Sequence, residues 1–148
     1  MPAIERRRFL QLITALACAG LWRGAIASEE DAERAIVEVF GMRGVEDGPV
    51  TVTIPPISEN GYTVPLKVEV DSPMTEQDHV RSIGIFAEEN PIAHIATFEL
   101  GPHAGKAVVE TRIRLGGSGR VRAVAELSDG RLIGGYDFSI VTLAACVV

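Results

Sequence analysis

Cysteine is scarce: Cys18 and Cys146 are the only two in 148 residues. That excludes a disulfide-stapled scaffold and a multi-cysteine zinc site. Aromatic residues make up 5% of the chain, too few for the stacking platforms that hold single-stranded nucleic acid. Positive charge is also in deficit, with a formal net charge of −6 and a pI near 5.1. A nucleic-acid binder would want a basic face instead. The longest nearly apolar run, Leu10 to Leu21, falls short of the about 20 residues that span a bilayer, so no membrane anchor is expected. The length suits one domain and leaves no room for a separate cofactor domain.

Catalytic and metal-binding patterns are missing too. His79, His94 and His103 do not pair at metal-ligand spacing. A copper site built from Met74 and His79 is the one metal alternative the sequence offers, set against the commoner fate of loop histidines on a solvated surface. No serine sits between glycines in a nucleophile elbow. Gly116-Gly117-Ser118-Gly119 lacks the Lys-Ser/Thr of a phosphate loop and reads as a flexible turn between strands. The pairs and triplets of acids, Glu88-Glu89 and Glu29-Glu30-Asp31, read as solvated faces or helix ends. The expectation is therefore no enzyme, no resident cofactor and no metal.

The first residues are read as an export signal. Arg6-Arg7-Arg8 is followed by Phe9-Leu10, an apolar run to Leu21, and Ala25-Ile26-Ala27 at a cleavage site. The paired Arg6 and Arg7 before x-Phe-Leu resemble the twin-arginine pattern, and Arg23 after the apolar run suits that route. Residues 1–27 are thus expected to be removed, with the mature protein periplasmic. Trp22 and Cys18 leave with the signal, and Cys146 remains as the only cysteine.

Ser28-Glu29-Glu30-Asp31 has an N-cap serine and an acidic first turn, and Ala32, Ala35, Ile36, Val39 and Phe40 share one helical face. Gly41 can end that helix. The apolar period then drops to two. Strands are expected over Val50–Ile54, Val64–Val70, Val80–Phe86, Ile92–Leu100, Ala107–Leu115, Arg120–Leu127 and Leu132–Leu143. Asn60-Gly61 and Asp129-Gly130 are tight-turn signals, the second joining the last two strands. About seven short strands after one short helix predict an all-β, immunoglobulin-like sandwich over 28–143, without a Cys–Trp–Cys core. Residues 144–148 are expected to form a C-terminal arm.

Cys146 is the third residue from the end, among Ala144, Ala145, Val147 and Val148. No Lys, Arg or His is close in sequence to lower its pKa, and the terminal carboxylate disfavours the thiolate. It is therefore not read as a catalytic nucleophile. Three extended residues beyond Leu143 would give the thiol a reach of roughly 10 Å.

Several stretches carry a specific likeness. Ile54-Pro55-Pro56-Ile57-Ser58-Glu59-Asn60-Gly61, Val64-Pro65-Leu66, Val70-Asp71-Ser72-Pro73-Met74 and Ile85-Phe86-Ala87-Glu88-Glu89-Asn90-Pro91 resemble SoxY. So do Ala96-Thr97-Phe98, Thr111-Arg112-Ile113-Arg114-Leu115 and Ala123-Val124-Ala125-Glu126-Leu127-Ser128-Asp129-Gly130. SoxY is the sulfur-carrier subunit of the periplasmic thiosulfate-oxidising system. The resemblance implies a heterodimer with the small β-sandwich protein SoxZ. It also implies a flexible arm whose cysteine, here Cys146, holds the sulfur substrate covalently while partner enzymes visit it: a haem protein, a hydrolase and a dehydrogenase. The family's arm reads Gly-Gly-Cys-Gly-Gly, whereas this one reads Ala144-Ala145-Cys146-Val147-Val148. That places the chain on a paralogue branch with an Ala-Ala-Cys arm.

Two functional readings follow. In the first, Cys146 carries sulfur cargo between enzymes of sulfur oxidation, and without its partner subunit the thiol forms some disulfide-linked homodimer. In the second, the same sandwich is a structural or regulatory binding module without cargo.

Overall fold

The computed structural model describes residues 28–145. The signal expected over 1–27, with Arg6 and Arg7, and the residues Cys146, Val147 and Val148 lie outside the described residues. Helix α1 spans Glu29–Phe40, as its apolar period predicts. Asp31 Oδ2 accepts both the Ser28 backbone N–H (2.8 Å) and the Ser28 hydroxyl (3.0 Å), which ties off the first turn. These bonds, the backbone one foremost, hold the Asp31 carboxyl below its ordinary value, helped by Arg34. Gly41 follows with φ +80°, and its N–H closes on Val37 C=O. The helix is too short to cross a membrane.

Nine strands follow: β1 (Val45–Asp47), β2 (Val50–Thr53), β3 (Ile57–Ser58), β4 (Val64–Val70), β5 (Val80–Ala87), β6 (His94–Glu99), β7 (Ala107–Ile113), β8 (Gly119–Leu127) and β9 (Leu132–Val141). A 3₁₀ turn, Pro102–Ala104, links β6 and β7. One sheet runs β1-β9-β8-β5-β6, with β3 also on β9, and the other runs β2-β4-β7. The expected sandwich is thus present, with two more strands than the seven foreseen. β1 and β3 are three and two residues long, too short to show an alternation. They exist because the segment 45–58 runs parallel to β9 at both ends and leaves it in the middle to serve the other sheet as β2. Gly135 permits that crossing: a Cβ there would lie 2.2 Å from Val50 O.

The inner faces follow the period-two rule. Val64, Leu66, Val68 and Val70 of β4 point inward, as do Ile83, Ile85, Val121, Ala123 and Ala125 from the larger sheet. β5 is buried on both faces because α1 covers the sheet's outer side. There Ile36 and Phe40 meet Phe86, Val124 and Leu132, and Ala32 meets Ala93. Gly84 makes room for this packing, since a Cβ would sit 2.8 Å from the Phe40 ring.

Several local expectations are corrected. The sixth strand starts at His94 rather than Ile92, because Asn90-Pro91-Ile92 forms a bend whose Asn90 side chain bonds Arg114 C=O and Gly116 N–H. β9 stops at Val141, before Leu143. Asp129-Gly130 does turn the β8–β9 hairpin, with Gly130 at φ +87°. Asn60-Gly61 also turns the chain, but β3 and β4 belong to different sheets, so it makes no hairpin. Gly116–Gly119 is a pinned crossover and not a loose turn: Ser118 Oγ accepts the Val141 N–H at 2.8 Å, and Glu89 packs over Gly117 and Gly119.

Candidate functional site

The sheet carries the chain to its C-terminus along β9, so the expected arm starts at the sandwich rim. Beyond Val141 the backbone stays fastened. Thr142 donates its N–H to Ser58 C=O (3.1 Å) and its hydroxyl to Glu59 C=O (2.9 Å). Gly61 N–H donates to Leu143 C=O at 2.8 Å, Leu115 N–H donates to Gly61 C=O at 2.9 Å, and Ala145 N–H donates to Leu115 C=O at 3.0 Å. Asn60 Oδ1 accepts the Tyr62 N–H and holds the loop in this shape. Gly61 is buried, Leu115 is buried, and Ala144 and Ala145 are half-buried. The reach expected from Leu143 onward is therefore corrected: the fastening continues two residues further, because loop backbone supplies partners as far as Ala145. Of the expected arm, Ala144 and Ala145 are placed here. Cys146, the expected attachment residue, is the next in the chain and lies outside the described residues.

Nothing in the sequence pointed to Gly61 and Leu115 at this rim. The Asn-Gly pair marked a turn, but its pairing with residues more than fifty and eighty positions away is a property of the folded sandwich.

The histidines do not converge. Met74 is buried, and its sulfur accepts the Val80 N–H at 3.5 Å. His79 Nδ1 lies 3.1 Å from Thr75 O. His94 packs on Phe86 and contacts Thr97 Oγ1, while His103 sits in the 3₁₀ turn. Met74 is thus occupied in the core, and among the described residues no three His, Cys, Asp or Glu side chains cluster to hold a metal.

Glu88, expected on a solvated face, is 8% exposed, because β5 ends beneath Arg120. Arg120 Nε lies 3.1 Å from each Glu88 carboxylate oxygen and donates to Oε2, leaving the buried Oε1 without an aligned donor. Arg120 Nη2 reaches Glu29 Oε1 at 2.9 Å, and the guanidinium lies 5.6 Å from the centre of the Tyr136 ring. Glu88 foremost, then Glu29, raises the Arg120 pKa further above its ordinary value. Beside this cluster, Tyr136, Phe138 and Ile140 alternate along the outward face of β9, and Ile57 of β3 stands in register with Ile140. All four are exposed.

The fold and this rim describe a small two-sheet sandwich whose C-terminal tail is mounted on its edge and which brings no catalytic constellation together among the described residues. The family model "Sulfur oxidation protein SoxY" matches residues 36–146, and the chain belongs to that family. Among solved structures, the sulfur carrier protein SoxY from Chlorobium limicola f thiosulfatophilum is 26% identical with a TM-score of 0.66. The match covers 78% of this chain and all of that one. A putative superoxide reductase from Thermotoga maritima gives 20% identity and a TM-score of 0.55, covering 65% of this chain and 87% of that one. The superoxide reductase (neelaredoxin) from Ignicoccus hospitalis gives 17% and 0.56, over 81% and 98%. These two share the fold alone. No curated protein sequence matches the chain.

Proposed function

We propose that the mature chain is a periplasmic sulfur carrier that holds a sulfur intermediate covalently on Cys146 and presents it to enzymes of sulfur oxidation. The observation that carries this reading is the family match, which runs through residue 146 and so takes in the only cysteine left once 1–27 are removed. The rim mounting of Thr142–Ala145 supports it, since a carried group must be offered from the edge of the body that bears it. Loading joins the Cys146 sulfur to a sulfur of the cargo; the thiol gives up its proton, and two electrons pass to the haem protein that loads it. The chain itself supplies the thiol and its placement, and the partner enzymes supply the chemistry.

A SoxZ-like subunit is the partner this reading requires. The exposed row Tyr136, Phe138, Ile140 and Ile57 supports such a pairing, because four large apolar side chains side by side on a sheet face are costly to leave in water. Export by the twin-arginine route follows from Arg6 and Arg7, and changing both to Lys should strand precursor in the cytoplasm.

The test of the carrier reading uses the mature protein with its partner chain and the thiosulfate enzymes. Three forms are compared: the natural chain, a variant with Gly at 144, 145, 147 and 148, and Cys146→Ser. The serine form should show no turnover. The β-branched Val147 and Val148 favour extended backbone and add bulk beside the thiol, so the glycine form should gain turnover if this arm is matched to other enzymes or cargo. Equal rates for the natural and glycine forms would instead assign ordinary thiosulfate service. Turnover by the serine form would overturn carriage on Cys146.

A further inference from the structure

We propose that Gly61 is a positioning residue for the carrier thiol: it clamps the root of the tail so that Cys146 is delivered from a fixed point at the rim. This rests on the carrier reading above. Three backbone hydrogen bonds close a ring through Gly61, Leu115 and the tail residues Leu143 and Ala145. A Cβ on Gly61 would stand 2.5 Å from Leu115 O and 3.0 Å from both Ala145 N and Leu143 O. All three atoms are backbone, so no side chain can swing aside to admit it. Gly61 is not among the residues with left-handed φ. Glycine is therefore needed here for the close approach of three chain segments and not for an unusual turn.

The consequence is a matter of length. Thr142 keeps its own bonds to Ser58 and Glu59, so a tail released from Gly61 and Leu115 would place Cys146 four residues from its anchor, up to about 14 Å away. A tail clamped at Ala145 places it one Cα step of about 3.8 Å away. The clamp thus removes most of the volume the thiol would otherwise search, before any enzyme binds. Placement errors of about 1 Å can cost on the order of a hundredfold in a positioned reaction. An enzyme that takes its substrate from a clamped rim should discriminate against a thiol displaced by a few ångströms. The thiol's own reactivity, set by its pKa and access, should be indifferent.

The experiment uses the full mature chain with its partner subunit. It compares wild type, Gly61→Ala, and an insertion of Gly-Gly between Ala145 and Cys146. Hydrogen exchange at the Ala145 amide reads the clamp. Alkylation by iodoacetamide reads the thiol, and kcat/KM for enzymatic loading with thiosulfate reads the positioning. Gly61→Ala should speed Ala145 exchange by about tenfold or more while amides of β5 and β8 keep their protection. Its loading should fall about tenfold or more, with alkylation changed by less than about twofold. The insertion should leave Ala145 protected and lower loading to a similar degree. An unprotected Ala145 amide in the wild type would overturn the proposal. So would wild-type loading by Gly61→Ala once its Ala145 protection is lost, or wild-type loading by the insertion. If Gly61→Ala also loses protection in β5 and β8, the insertion alone decides. A wild-type chain that takes no cargo defeats the carrier reading and the proposal with it; a wild type that loads, with both changes neutral, defeats the proposal alone.

Discussion

Replacing Arg120 by Met should strand a charge that the fold has buried on one side only. Glu88 is 8% exposed and, among the described residues, its carboxylate touches a single cation, Arg120 Nε, at 3.1 Å. Breaking a fully buried pair from one side costs about 3–5 kcal/mol, whereas an exposed pair is worth about 1 or less. The Arg120 side chain is 36% exposed, so water reaches the site once the guanidinium is gone. The cost of Arg120→Met should therefore fall between these limits, at about 2 kcal/mol. Glu88→Gln should cost less, about 1 kcal/mol or under, because Arg120 keeps Glu29, the Tyr136 ring and solvent. The double variant should recover much of the Arg120→Met loss, since a neutral amide tolerates burial better than an unpaired carboxylate. Urea unfolding at constant m-value measures all three variants. An Arg120→Met cost within about 0.5 kcal/mol of zero, or a larger cost for Glu88→Gln, would refute the one-sided burial argument.

Phe40→Ala should cost about 3–5 kcal/mol, because the ring fills the space between α1, Gly84 and Phe86 and leaves a cavity that β5 cannot close; thermal unfolding measures it. Asp31→Asn tests the helix start. A lowered carboxyl pKa contributes stability above the ordinary value of 3.8 that is lost as pH falls through the lowered value. The gap between wild type and Asp31→Asn should thus be full at neutral pH and close in strong acid. A gap that is unchanged or widens in acid contradicts the capping assignment.

What the sequence revealed of this fold tracks how local each cause is. α1, the β8–β9 hairpin at Asp129-Gly130 and the long strands β4, β5, β7 and β8 follow from periodicity, capping and turn chemistry carried by neighbouring residues. β1 and β3 do not, because a two- or three-residue strand is defined by its partner, here β9, rather than by its own pattern. Glu88 looked like half of a solvated acidic pair because its burial comes from Arg120, 32 positions on. The proposed attachment residue, Cys146, is read from its place third from the end of the sequence. The clamp before it needs Gly61, Leu115 and Ala145 together, and only the closed sandwich brings them within hydrogen-bond range.

Covalent carriage on Cys146 is tested most directly by the intact mass of the native, unreduced protein taken from the periplasm of cells oxidising thiosulfate. The account predicts the mature chain beginning at Ser28 with an added mass that a thiol reductant removes and that Cys146→Ser lacks. A wild-type protein that carries nothing under those conditions, or an adduct that persists in Cys146→Ser, would contradict it.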